Sequence, residues 1–234
     1  MADSNLSLRT WVFGMYLMST NLKGVSSMKV YRELGITQKT AWFMGQRMRE
    51  GMPFQNGMFA GGTEVDETYV GGKEGNKHAN KKLRAGRGTV GKVAVVGAKD
   101  RETGKIAAQV VEKTDAETLQ GFVMDHVLFG TPLYTDEHKS YSGLEYLYDH
   151  EAVKHSVGEY VKHMAHINGM ESFWATLKRG INGVYHKMSK KHLHRYIAEF
   201  TARHNFRSKG TLEQMAIMAR SMENRRIKYH ELIA

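Results

Sequence analysis

The sequence contains no cysteine. That absence excludes a disulfide framework and any cysteine-ligated zinc site. Proline is scarce too, at two residues in 234, which excludes long Pro-rich linkers. Long apolar runs are missing. The longest near the start, WVFGMYLM at 11–18, is far too short to cross a bilayer and carries no cleavage-site pattern. These gaps predict a cytoplasmic chain. Acids are the remaining scarcity: 24 Asp and Glu face 34 Lys and Arg, a net charge of +10. Such an excess points to a polyanionic partner, and nucleic acid comes first. A membrane surface ranks low, because the basic residues do not line one amphipathic helix.

What is present reads in sequence order. Residues 6–50 are expected to be helical, starting with the apolar, periodic LSLRTWVFGMYLMST. In SSMKVYRELGITQKTAWFMGQRMRE, Ser27 is placed to cap a short helix, Gly35 to turn the chain and Thr37 to cap a second helix. Helix, short glycine-containing turn and second helix is the helix-turn-helix pattern, which an ordinary helical hairpin shares. It puts Gln38, Lys39 and Thr40 where base-reading side chains belong.

After a linker at 51–62 the period becomes that of strands. TEVDETYVGG alternates, KVAVVGAKD is a continuous buried type, and GKIAAQVVEK follows a turn at 101–104. DAETLQGFVMDHVL reads as a helix capped by Asp115, PLYTD and EAVKHS as strands, and HINGMESFWATLKRG as a helix. Residues 188–205 and 211–230 read as two more helices. Three antiparallel strands followed by α/β units suit an RNase H-like mixed sheet with flanking helices. The expected division is a helix-turn-helix segment at 1–50, the linker, an RNase H-like domain at 63–210 and a helical tail at 211–234. Between the first two strands, residues 71–92 hold seven Lys/Arg and one acid among many glycines. Lys81, Lys82, Arg84 and Arg87 make this a candidate phosphate-gripping loop, against the plainer reading of a loop with no role. Residues 160–209 add ten Lys/Arg against two acids.

Three acids stand in unusual settings. Asp66 lies inside a strand, where acids are depleted. Asp136 ends PLYTD, and Glu171 sits on the late helix two turns before Lys178. Converging carboxylates repel one another, and a divalent cation relieves the repulsion. Hard oxygen ligands select Mg2+ or Mn2+, and a pair of such ions drives phosphodiester chemistry. Pattern alone does not choose among Glu64, Asp66 and Glu67. Asp136 also suits a simple turn start, and Glu171 with Lys178 a solvated ion pair. Trp174 fits a core position or a stacking surface. His192 and His194 are two apart on a helix and share no face, so with His163 and His166 they predict no zinc site.

The blocks LSLRTWVFGMYLMST, RELGITQKTAWFMGQRMRE, VDETYVGG, YTDEHKSY, HINGMESFWATLKRGINGVYH and HLHRYIAEFTARHNFR carry a resemblance. The chain resembles the DDE transposases of bacterial insertion sequences in the Merlin-related group, with an ISXO-like transposase domain. The resemblance spans nearly the whole chain. It implies an RNase H-like fold, two-metal DNA chemistry, and Asp66, Asp136 and Glu171 as the catalytic, metal-holding acids. Beside that set, Asn168 stands one turn before Glu171, where it suits a supporting residue that orients a water or ligand and equally a helix N-cap, and Lys178 and Arg179 are expected beside the DNA. The implied partner is double-stranded DNA, both terminal repeats and target, bound by a homodimer or larger assembly. Members often carry a cysteine-bearing zinc ribbon ahead of the helical segment. This sequence has none, which leaves recognition of DNA ends to the helix-turn-helix. A nuclease without end specificity and a non-catalytic DNA-binding copy are the competing expectations.

Overall fold

The computed structural model describes residues 4–52, 57–72, 78–83, 88–153 and 166–234. The chain divides into two compact units. One comprises Gln55–Lys178 and Ser189–Lys191, the other Met1–Phe54, Arg179–Met188 and His192–Ala234.

In the first unit, β1 (Thr63–Val70), β2 (Val93–Asp100), β3 (Ile106–Val111), β4 (Pro132–Asp136) and β5 (Asp149–Val153) form one sheet in the order β3-β2-β1-β4-β5. The first three strands pair antiparallel, while β4 runs parallel to β1 and β5 parallel to β4. This is the RNase H-like mixed sheet expected from the strand order. β2 reads VAVVGAKD because both its faces are covered. Its turn into β3 is fixed by the Asp100 carboxylate, which accepts from the N–H groups of Glu102 and Thr103 at 2.8 Å each. Gly104 closes that turn at φ 64°.

Helices cover the two faces. α4 (Ala116–His126) begins where Asp115 accepts from the Thr118 N–H at 3.1 Å. Its Leu119, Phe122 and Val123 join a core with Val65, Val96, Ala98 and Leu133. α5 (Asn168–Gly180) buries Met170, Phe173, Trp174 and Leu177, spaced as one helical stripe. It approaches β2 closely at Gly97. A Cβ there would lie 2.6 Å from Met170 Cε and 2.9 Å from Trp174 Cη2. A π-helical turn over Ile181–Tyr185 follows α5.

The second unit holds α1 (Leu8–Thr20), α2 (Ser27–Leu34), α3 (Gln38–Glu50), α6 (Leu193–Asn205), α7 (Thr211–Ser221) and α8 (Tyr229–Ile233). Gly35 ends α2 in the left-handed region at φ 64°, and Thr37 opens α3 by accepting from the Thr40 N–H at 3.1 Å. Ser26 rather than Ser27 caps α2, accepting from the Lys29 N–H at 3.2 Å. Two serines in a row offer the same chemistry, and only the helix phase separates them. The run expected at 188–205 opens with a 3-10 turn over Lys190–His192 before α6. The run expected at 211–230 is interrupted after α7, where Asn224 takes φ 58°.

Methionines dominate the helical core: Met15, Met18, Met44, Met48, Met218 and Met222 pack with Trp11, Ala198 and Ala202. Within it Glu199 is fully buried, at 0% exposure. Its carboxylate accepts from Arg49 Nε at 2.6 Å, Arg203 Nη2 at 2.7 Å and the Tyr185 hydroxyl at 2.8 Å. Burial works against its charge, but Arg49 and Arg203 outweigh it and hold the pKa at about 2.

Candidate active site

β1 carries three acids within four residues, and strand alternation sends them to different faces. Glu64 and Asp66 start toward the face covered by α5, Glu67 toward the face covered by α4. The ladder between β1 and β4 pairs Thr63 with Leu133 and Glu64 with Tyr134, and stops there. Continued past its end, the same offset sets Asp66 level with Asp136, the last residue of β4. Carboxylate oxygens of Asp66, Glu67 and Asp136 all lie within 4.8 Å of one another. Glu67 starts from the opposite face and joins the other two beyond the end of the ladder.

The polar surroundings hold the three acids in place. The Glu67 N–H donates to Asp66 Oδ1 at 2.9 Å, and the His138 N–H donates to Asp136 Oδ1 at 3.0 Å. The Tyr141 hydroxyl, itself buried, donates to Glu67 Oε2 at 3.0 Å. Trp174 comes down from α5 beside Asp66. Its indole N–H is buried without a hydrogen bond of normal geometry, yet it favours the charged form of that carboxylate. Gly97, the register partner of Asp66, leaves the room that Trp174 occupies.

Charge at this point is poorly balanced. Among the described residues, no lysine or arginine pairs with the three acids. Burial first, then Glu67 and Asp136, push Asp66 up to about 7. Burial and the Asp136 charge also raise Glu67, with the Tyr141 hydrogen bond partly relieving it. Burial and Glu67 raise Tyr141 well above the usual phenol range. Three hard oxygen donors that repel one another, with His138 beside Glu67 but no lysine or arginine among the described residues, fit a divalent cation of the Mg2+ or Mn2+ type.

The other anticipated residues fall in several places. Glu171 lies on the turn of α5 between Met170 and Trp174, with an exposed side chain, and is not one of the three clustered acids. Asn168 is the first residue of α5 and is exposed. Lys178, Arg179 and Lys82 are exposed, and Lys81 ends a short 3-10 turn. Arg84, Arg87 and His163 lie outside the described residues. Trp174 is a core residue at 3% exposure. In the helical unit, Gln38 donates to Ser27 Oγ at 2.9 Å, Lys39 sits 4.3 Å from the centre of the Tyr229 ring, and Thr40 bonds its cap Thr37. His192 is buried and edges onto Trp42.

Sequence pattern did not single out Glu67 or Tyr141. Tyr141 stands five residues after Asp136 in YTDEHKSY, a spacing that carries no signal before the turn over Lys139–Tyr141 is seen. A family model described as the ISXO2-like transposase domain matches residues 58–205, well over half of the chain. No curated protein matches it.

Proposed function

Because the chain belongs to the ISXO2-like transposase domain family, and so is a DDE-type transposase, we propose that it acts on the ends of a bacterial insertion sequence. It hydrolyses a phosphodiester at each end and then uses the freed 3′-hydroxyl to attack target DNA. Both steps are in-line displacements at phosphorus, so one centre serves both. The observation that carries this reading is the convergence of Asp66, Glu67 and Asp136 at the parted ends of β1 and β4.

In this reading Glu171 of α5, whose neighbours Met170 and Trp174 pack at Gly97 beside Asp66, is the acid that acts with Asp66 and Asp136. These acids would hold two Mg2+ or Mn2+ ions, which supply Lewis acidity at the phosphate and lower the pKa of the attacking oxygen. The rest falls to the chain's own residues. Tyr141 keeps Glu67 aimed at the cluster. Trp174 closes the α5 side of Asp66 against water. Lys82, Lys178 and Arg179 are exposed cations that hold phosphates, with Lys81, Arg84 and Arg87 in the same loop as Lys82. Gln38, Lys39 and Thr40 open the second helix of the helix-turn-helix and read the DNA ends. Two ends must be brought together, so the active form is a homodimer or larger.

The test is strand joining in Mg2+ or Mn2+. A pre-cleaved duplex made from the DNA flanking the gene is the donor, and a supercoiled plasmid the target. Joined product that disappears with Asp136→Asn, while DNA affinity is kept or raised, is the expected result. Cleavage of arbitrary DNA without joining would replace the transposase reading by that of a nuclease. Binding to the flanking ends without any product would mark a DNA-binding copy that has lost its chemistry.

A further inference from the structure

Glu64 is the third acid of β1, and it does not join the cluster. It is 2% exposed. A carboxylate this deep needs partners, and Glu64 has several. Arg101 Nε donates to Oε1 at 2.9 Å, and the backbone N–H of Met170 donates to Oε2 at 3.0 Å. Nδ1 of His166 lies 3.4 Å from Oε1, without hydrogen-bond geometry. Arg101 in turn lies 3.8 Å over the Tyr134 ring and donates to the His166 carbonyl.

The Met170 N–H lies in the first turn of α5, so its bond to Glu64 acts at the start of that helix. A helix leaves its first N–H groups unpaired, and a polar N-cap side chain normally accepts from one of them. The residue before α5 is Ile167, whose side chain has no acceptor, although its carbonyl accepts from the Met170 and Glu171 N–H groups at 3.0 Å each. Glu64 supplies a side-chain acceptor from another element, shares the Met170 N–H with the Ile167 carbonyl, and brings a negative charge that suits the helix N-terminus. Gly169 makes the approach possible. A Cβ there would lie 2.6 Å from Glu64 Oε2 and 2.6 Å from Lys99 Nζ.

Each anchor sits beside a site acid. Glu64 is two residues before Asp66 on β1. Tyr134 is two residues before Asp136 on β4. Met170 directly precedes Glu171 on α5. We propose that Glu64 is a positioning residue: with Arg101 it ties the first turn of α5 to β1 and β4, and so fixes Glu171 against Asp66 and Asp136. This rests on the reading of Glu171 as the third site acid.

The experiment measures Mn2+ binding by the full chain in the presence of flanking DNA, from the electron paramagnetic resonance of the free ion. It compares wild type, Glu64→Gln, Glu171→Gln and the double variant. Glu64→Gln is expected to weaken Mn2+ binding about tenfold, as loss of an outer support does at metal sites, with DNA affinity unchanged. The double variant is expected to bind Mn2+ no more weakly than Glu171→Gln alone, because Glu64 acts through Glu171. Additive losses in the double variant, or a lowered melting temperature with unchanged Mn2+ affinity, would overturn the proposal and leave Glu64 a plain ion pair. Unchanged Mn2+ binding in Glu171→Gln would strike the site reading itself, and the positioning role would fall with it. Gly169→Ala guards against misfolding of Glu64→Gln. It keeps both charges and favours helix, yet crowds the Glu64 carboxylate. It is expected to weaken Mn2+ binding in the same direction, and wild-type binding would count against the proposal.

Discussion

Glu199 in the helical unit is fully buried and Asp66 in the sheet unit partly so, and their surroundings differ in sign. Glu199 meets two guanidinium groups and a phenol, and its pKa falls to about 2. Asp66 meets two more acids, and its pKa rises to about 7. The first arrangement neutralises its charge from within the chain and is complete as it stands. The second leaves charge uncompensated, which costs stability and is kept where an outside cation or substrate completes it. The two acids therefore respond to pH in opposite directions. The stabilising share of Glu199 is present above about 4.5 and is lost as pH falls through about 2. That of Asp66 is present below about 4 and is lost as pH rises through about 7.

The contrast can be broken most forcefully at Glu199. Glu199→Ala leaves Arg49 and Arg203 facing each other in the core, and a loss of about 3–5 kcal/mol is expected in denaturant unfolding. A loss below ~1 kcal/mol would mean that water reaches the pair. A smaller effect of opposite sign is expected at the cluster. In metal-free buffer at pH 8, Asp66→Asn should stabilise the protein by about 1–2 kcal/mol, since the group is partly exposed and its repulsion is screened. The gain should shrink toward pH 4 and vanish in saturating Mg2+, where wild type is the better ligand. A gain that is the same at every pH would show that charge is not its cause. The smallest effect belongs to Tyr141→Phe, which removes one hydrogen bond to Glu67 for about 1 kcal/mol at pH 8. Thermal melts at pH 8 and pH 4 decide it. An equal loss at both would assign the hydroxyl to packing rather than to the Glu67 charge.

Much of the fold was legible because its signals are local. The β-branched run of β2, the alternation of β1, the caps Thr37 and Asp115, and the Phe173–Leu177 stripe all declare themselves within a few residues. What escaped depended on distant partners. Choosing among Glu64, Asp66 and Glu67 needs the register of β1 against β4, and nothing near residue 66 states where that ladder ends. The cap of α5 escaped for the same reason. Asn168 is a good capping residue by type, but the helix has already begun there, and the acceptor comes from Glu64 on β1. Glu199 reads in sequence as one acid on a basic helix. Its burial follows from partners at Arg49 and Tyr185 that helix periodicity does not connect.

The helical unit draws its core from segments far apart in sequence, and this has a bearing on how the protein is made. Trp11, Met44 and Met48 close around Ala198, Ala202, Met218 and Met222. On a ribosome adding about 5–20 residues per second, α1–α3 are therefore finished roughly ten to thirty seconds before the rest of their core exists. During that interval their methionines stay open to water and to chaperones. By the time the helical unit shuts, the strands bearing Asp66 and Asp136 have already been synthesised. A message cut short before α6 leaves α1–α3 without Ala198, Ala202, Met218 and Met222, and so without a finished core.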